Sequence, residues 1–330
     1  MKGFHVSEVA KIPWGAPPGI PEIFVDEARD SRWTAEPPRQ ERASIGLRLA
    51  PDGAFGLLAA DPLTGSGLPP QVLRLTPTGS LSRRELAPPA SHFLQWQIVD
   101  FALDRNAGVY LLEQIAAHGG GATTLRKIGA DGVEVWRRSE HSWQVEPDLE
   151  VPAGSFTGLL TGSSGVYISA RDRGLIARID PASGKLTRYA DLPPWTGDAL
   201  VGPDERVYYV RFAPERNARA WVCLDPETSR ETETLCSPAA FDLLALPIGV
   251  DARGRAYGVH GWTVGCIEPQ GSLLWRESLD GGSAAVRKAT GEDRDLRLGS
   301  ATSWRVSRDG VIYLSAAGAS GCHLLALEPG

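Results

Sequence analysis

Ala177-Arg178-Ile179-Asp180-Pro181 is an apolar strand that stops at an acidic residue followed by proline. The same unit reads Val222-Cys223-Leu224-Asp225-Pro226, Gly265-Cys266-Ile267-Glu268-Pro269 and Leu325-Ala326-Leu327-Glu328-Pro329. It stands earlier as Leu73-Arg74-Leu75-Thr76-Pro77, with a degenerate copy at Arg126-Lys127-Ile128-Gly129-Ala130. Proline has no N–H to give a strand ladder, so each copy marks a strand end and a turn. A following polar residue and glycine complete the turn, as in Ser183-Gly184 and Gln270-Gly271.

A second unit lies upstream of each copy: a strand, a polar turn, then an aromatic in a new strand. It reads Asp104-Arg105-Asn106-Ala107-Gly108-Val109-Tyr110, Ser163-Ser164-Gly165-Val166-Tyr167 and Asp309-Gly310-Val311-Ile312-Tyr313. Pro51-Asp52-Gly53-Ala54-Phe55, Pro203-Asp204-Glu205-Arg206-Val207-Tyr208 and Arg253-Gly254-Arg255-Ala256-Tyr257 complete six. The aromatics recur at intervals of 55, 57, 41, 49 and 56 residues. A further short strand follows each acidic turn, such as Val133-Glu134-Val135-Trp136. That makes four antiparallel strands in each of six units, with no amphipathic helix between them. Four-stranded units repeated radially are the blades of a β-propeller.

The expected fold is therefore all-β: one six-bladed β-propeller spanning residues 1–330. The blades fall at 45–86, 97–139, 156–192, 197–236, 246–279 and 302–330. The last unit ends at Glu328-Pro329-Gly330, one strand short, while the segment 1–12 carries a strand with no blade of its own. That N-terminal strand is expected to close blade six and leave no free sheet edge. The Pro-rich segment 13–44 reads as lid-like across the channel mouth.

The repeats resemble those of six-bladed propellers of the NHL and SMP-30 type. Gly132-Val133-Glu134-Val135-Trp136 and Gly271-Ser272-Leu273-Leu274-Trp275 add a quinoprotein-like flavour. Members of the SMP-30 type hold a divalent metal with Glu, Asn and Asp at the channel mouth. The sequence contexts of those ligands do not occur here, so none is carried over. Quinoprotein dehydrogenases have more blades and a Trp in most of them, which two such Trp residues do not match.

Composition narrows the function classes. A 42% hydrophobic share with 22% charged residues suits a globular core, and 37 Gly with 25 Pro suits many tight turns. The net charge of −6 offers no basic footprint, so neither nucleic acid nor an anionic membrane surface is an expected partner. No GxSxG elbow, HExxH or CxxC spacing occurs. Cys223, Cys236, Cys266 and Cys322 read as small buried residues, and a reducing cytoplasm is the expected location.

Chemistry is expected on the face that carries the long, irregular loops, since binding is placed on loops held by a rigid scaffold. That face comprises the loops 12–44, 61–70, 87–97, 113–122, 140–156, 211–219, 237–246 and 281–302. His92, His118, His141 and His260 map to it, as do Trp14, Trp33, Trp96, Trp143, Trp195 and Trp262. Trp304 is expected to line the mouth. Trp is mostly buried wherever it occurs, but several on one face suit a concave pocket for an aromatic, cationic or sugar-like ligand. Asp100 and Asp198, near the starts of innermost strands, could act as general bases or ligate a divalent ion (Ca, Mg or Zn). Arg48 and Arg305 occupy equivalent places in neighbouring blades and could hold a carboxylate. The mixed-charge run from Arg287 to Arg297 reads as a solvated flap.

The leading expectation is a non-redox enzyme (hydrolase, lyase or cyclase) acting on a small molecule or peptide. His260, His141, Asp100 and Asp198 would supply acid–base chemistry. Trp96, Trp143, Trp195, Trp262, Trp304, Arg305, Arg48, His92 and His118 would contact substrate. The alternative is a non-catalytic propeller that holds a peptide or protein partner.

Overall fold

The polar turns of the repeat are built by their own acidic residues. In the computed structural model, residues 4–12, 31–32, 44–60, 71–76, 81–87, 95–117, 120–193, 198–213, 218–279, 283–287, 293–318 and 321–329 are described. Asp104 Oδ1 accepts the amides of Asn106 and Gly108 at 2.9 and 2.7 Å. Asp251 Oδ1 likewise accepts those of Arg253 and Arg255 at 2.9 and 3.0 Å. These are Asx turns, in which a short carboxylate replaces a backbone acceptor. The aromatic that follows reports to the same carboxylate: Tyr208 donates to Asp204 at 2.7 Å and Tyr257 to Asp251 at 3.0 Å. Burial, with the acidic neighbour beside them, raises the pKa of both phenols. The Asp-to-Tyr spacing read from the sequence is thus one hydrogen-bonded unit joining a turn to the second strand.

Each unit adds strands outward. Blade 1 comprises Ser44–Leu49, Phe55–Ala60, Gln71–Leu75 and Leu81–Glu85; blade 2 comprises Gln95–Leu103, Val109–Ala117, Gly120–Ile128 and Glu134–Arg138. Blade 3 runs through Gly158–Thr161, Val166–Ala170, Leu175–Ile179 and Leu186–Asp191. Blade 4 runs through Leu200–Val201, Val207–Ala213, Ala218–Asp225 and Arg230–Leu235. Blade 5 has Pro247–Val250, Ala256–His260, Thr263–Ile267 and Leu273–Ser278. Blade 6 has Asp293–Val306, Ile312–Gly318, Gly321–Pro329 and, as its fourth strand, Phe4–Ile12. The last pair is antiparallel from Phe4↔Pro329 to Ile12↔Cys322, the expected closure. Innermost strands contact one another in the cyclic order of blades 1 to 6 and back to 1. The fold is an all-β, six-bladed propeller.

Three loops of the sequence reading are strands instead where they are described. The loop 113–122 is taken up by the antiparallel strands Val109–Ala117 and Gly120–Ile128, which pair as far as Ala117↔Gly120. Within 140–156, Ser142–Glu146 and Leu149–Pro152 form a hairpin that pairs in parallel with the outer strand of blade 3 through Val145↔Leu186. Trp143, Val145 and Val151 alternate inward and are fully buried, which the period of two would have revealed. Within 281–302, Ser283–Arg287 pairs antiparallel with the long innermost strand of blade 6, and Ser7↔Arg287 joins it to the closing strand. The expected flap is therefore part of a sheet where it is described. Of 13–44, only Ser31–Arg32 and Ser44 are described, and Ser31–Arg32 lies parallel to Ala10 and Lys11 on the closing strand's edge. The rest of the lid-like segment lies outside the described residues.

Core side chains fill the gaps between blades, and several polar groups there hold the blades to one another. Trp136 of blade 2 lies against the Ser183-Gly184 turn of blade 3 and donates from Nε1 to Pro181 O at 3.1 Å. Gly184 has φ +71°, and a Cβ there would stand 2.7 Å from the Trp136 ring, so glycine is required twice over. The quinoprotein-like Trp is thus a blade-to-blade dock. Cys236 and Cys266 are buried as expected, and Cys223 is half-buried. Between blades 1 and 2, Glu113 and Arg126 pair at 2.8 Å with 0% and 3% of their side chains exposed. Trp96 Nε1 donates to the same Glu113 oxygen at 3.0 Å, and Arg126 also donates to Ala87 O at 2.7 Å. Burial raises the Glu113 pKa, opposed by Arg126 and Trp96. Blade 3 lacks the turn aspartate, and Glu205 of blade 4 replaces it. It accepts from Ser163 Oγ at 2.5 Å, from the amide and hydroxyl of Ser164 at 2.7 Å each, and from Tyr167.

Two outcomes follow from these pairs. Arg126→Met leaves Glu113 buried without its cation and should cost about 3–5 kcal/mol in urea unfolding, whereas pairing it with Glu113→Leu should recover part of the loss. Burial works to raise the Glu205 pKa, but the hydrogen bonds from Ser163, Tyr167 and Ser164 outweigh it and the net shift is downward. A depressed folded-state pKa gives stability that is present above the unfolded value and lost as pH falls through the folded one. Melting temperature should therefore fall less steeply below about pH 4.5 in Glu205→Gln than in the parent chain.

Candidate functional site: the central channel

The six innermost strands share one register. Arg48 faces Gly56, while Ala102, Leu160, Leu200, Gly249 and Arg305 face Tyr110, Tyr167, Tyr208, Tyr257 and Tyr313. Two residues earlier stand Gly46, Asp100, Gly158, Asp198, Pro247 and Ser303. Strand side chains repeat with period two, so this gives two levels about 7 Å apart along the channel. The lower, nearer the polar turns, holds Arg48 and Arg305. The upper, nearer the long loops, holds Asp100 and Asp198.

The walls enclose a cavity of about 1640 Å³ that includes all four of these residues. Asp100 and Arg305 lie deeper than the sequence reading placed them. Asp100 is the sixth residue of Gln95–Leu103 and Arg305 the next to last of Asp293–Val306.

Asp100 is committed on all sides. Its Oδ1 accepts from Arg48 Nη2 and from the Phe101 amide at 2.8 Å, and its Oδ2 accepts the Leu159 amide at 2.8 Å. Arg48 in turn donates from Nε to Phe101 O and from Nη1 to Leu47 O, each at 3.0 Å, and lies over the Phe101 ring. One carboxylate thus ties blades 1, 2 and 3 together at the channel wall. Three of its roughly four acceptor sites are thus taken by the chain, and the Arg48 cation beside it works against a base's role.

Arg305 differs from its equivalent. Its one hydrogen bond is Nη1 to Trp304 O at 2.6 Å, and among the described residues no carboxylate pairs with it. Burial, then Arg48 beside it, push its pKa down to about 9, while Asp100 and Asp198 pull the other way. It remains a cation at neutral pH. It lies deep in the molecule yet is only half-buried, because the channel reaches it. Asp198 is exposed on the wall of blade 4, and its Oδ1 accepts from Arg171 Nη1 at 3.4 Å. Its Oδ2 has no partner among the described residues.

The other expected site residues divide. Trp304 lines the channel and is buried, and Trp262 meets it edge to face with ring centroids 6.5 Å apart. His260 is exposed at the end of the second strand of blade 5, beside Gly261, which lines the channel. Trp143 is fully buried under the added hairpin, stacked on Phe156 at 5.0 Å, and does not reach the channel. His141 is exposed at the start of that hairpin, and Trp96 serves the Glu113 pair between blades 1 and 2. Trp195, His92 and His118 lie outside the described residues, as do Trp14 and Trp33. Sequence reasoning missed Arg171, whose signal was its place in the loop between the second and third strands of blade 3.

Among the described residues the donor set does not fit a divalent ion. Asp100 is consumed by Arg48 and two amides, Arg305 adds positive charge beside it, and no cluster of three His, Cys, Asp or Glu stands among the described residues.

No family model matches this sequence, and no curated protein matches it at a significant level. Solved structures similar to it include a gluconolactonase from Xanthomonas campestris, at 16% identity and TM-score 0.47 over 97% of each chain. The WD40 domain of Pan2 from Neurospora crassa is similar at 10% identity and TM-score 0.46, over 99% of this chain and 96% of that one. A protein of unknown function from Bacteroides caccae is similar at 11% identity and TM-score 0.42, over 84% of this chain and 94% of that one. The superfamily-level resemblance to six-bladed propellers rests on the chain's own sheets and their closed order.

The Asp100 bridge yields a stability expectation. Asp100→Ala strips Arg48 of its counter-ion and leaves two wall amides without their acceptor. It should cost about 2–5 kcal/mol in urea unfolding, and Asp100→Asn, which can still accept at one oxygen, should cost less.

Proposed function

We propose that the protein binds a small molecule carrying an anionic group in its central channel, with Arg305 as the anchor. The observation that carries this reading is the unpaired guanidinium at the heart of the cavity. A desolvated cation gains most from an anion delivered to it, and a guanidinium presents two parallel N–H groups to a carboxylate or phosphate. Arg48, held by Asp100 and two carbonyls, adds positive charge next to that position. Trp304 and the leucines of the wall supply apolar contact for the rest of the molecule.

Non-redox turnover (hydrolysis, elimination or cyclisation) is the second reading, favoured by one observation. Asp198, on the blade 4 wall of the same cavity, keeps an oxygen uncommitted among the described residues, as a general base requires. A peptide- or protein-holding role would instead draw on Phe212 and Leu246, which are 58% and 43% exposed. Both readings use the same end of the channel.

The test is a thermal-shift and calorimetric screen of straight-chain monocarboxylates and inorganic phosphate against the parent chain and Arg305→Met. A hydrogen bond to a charged group is worth roughly 1.5–3 kcal/mol, so the variant should bind about 10- to 150-fold more weakly. Equal affinity in both proteins would overturn the anion site.

A further inference from the structure

The channel carries more than an anion anchor. Blades 4 and 6 are separated by blade 5 alone, so Asp198 and Arg305 stand on different walls of one cavity. Arg305 lies at the lower level and Asp198 at the upper, and each retains unused hydrogen-bonding capacity. Their equivalents at the same two levels, Arg48 and Asp100, are spent on one another and on the backbone. The repeat thus offers four charged positions, of which one cation and one anion are left to a guest. Leu200, Val201, Ile248 and Trp304 of blades 4, 5 and 6 supply apolar surface to the lining, alongside polar residues such as Ser303.

Resting on the anion reading above, we infer that the natural ligand is dipolar, with an anionic group on Arg305 and an ammonium on Asp198 separated by an apolar body. A short peptide with free termini or an ω-amino acid has this chemistry. A neutral donor such as a hydroxyl would satisfy Asp198 less well, because a charge-assisted hydrogen bond is about twice as strong as a neutral one. Arg171 stands in the ammonium's way only weakly. Its contact with Asp198 is a single one at 3.4 Å, and both side chains are more than half exposed at 54% and 56%. Ion pairs of that kind contribute little, so a ligand ammonium can replace it. Arg171 therefore acts as a stand-in that holds the Asp198 carboxylate until the ligand arrives.

The inference is read from a chain-length series. Calorimetric affinities of glycine, 4-aminobutyrate, 6-aminohexanoate and 8-aminooctanoate are compared with those of acetate, butyrate, hexanoate and octanoate. At one length the amino compound should bind about two- to fivefold more tightly than its matched monoanion, as an ion pair on a half-exposed carboxylate allows, and that length measures the span between the two groups. In Asp198→Asn the preference should fall toward one. In Arg171→Gln it should rise, because the competing cation is gone, a change that a purely structural role for Asp198 would not produce. Arg305→Met should weaken both series together. If the monoanions bind as well as the amino compounds at every length, and Asp198→Asn changes nothing, the dipolar ligand is excluded while the anion site stands. If Arg305→Met leaves both series unchanged, the anion site itself fails.

Discussion

Ring closure is the constraint on which everything else depends. Phe4–Ile12 pairs with Gly321–Pro329, so the two ends of the chain share one sheet and the ring has no loose blade. An open edge there would leave a row of unpaired amides and carbonyls and let the blades splay. With the circle closed, six innermost strands are held at one register, and the channel they enclose becomes a fixed cavity. The charged groups on its wall owe their geometry to that closure.

Within the ring, one device is repeated and then varied. An acidic side chain caps the first turn of a blade and receives the tyrosine of the next strand, as Asp204 and Asp251 do. Blade 3 lacks its own acid, and Glu205 reaches across from blade 4 to take four hydrogen bonds from Ser163, Ser164 and Tyr167. Asp100 does the same work on the channel side, linking Arg48 of blade 1 to the Leu159 amide of blade 3. Carboxylates thus stitch turns to strands and, at Glu205 and Asp100, one blade to another.

Legibility differed by level. Strand ends, turns and the number of blades were readable because proline, glycine and the Asp–Tyr spacing act locally. The hairpin Ser142–Pro152 was readable in principle, since Trp143, Val145 and Val151 alternate, but its length and position suggested a loop. The channel was harder. Arg48 and Arg305 look alike in sequence, and only their surroundings separate a cation that is saturated from one that is not. Trp143 and Trp262 both follow a histidine by two residues, yet one is sealed under a hairpin and the other touches the Trp304 ring.

By itself the sequence determined an all-β ring of six four-stranded blades, closed by its own N-terminus, because each of those features is written in residues adjacent along the chain. The tertiary structure alone decided which charged groups cancel. Arg48 and Asp100 lie far apart in sequence and meet across two blades, while Arg305 faces the same channel and, among the described residues, hydrogen-bonds to a single carbonyl. Pairing of that kind depends on distance through space and on burial, and neither quantity is carried by a repeat.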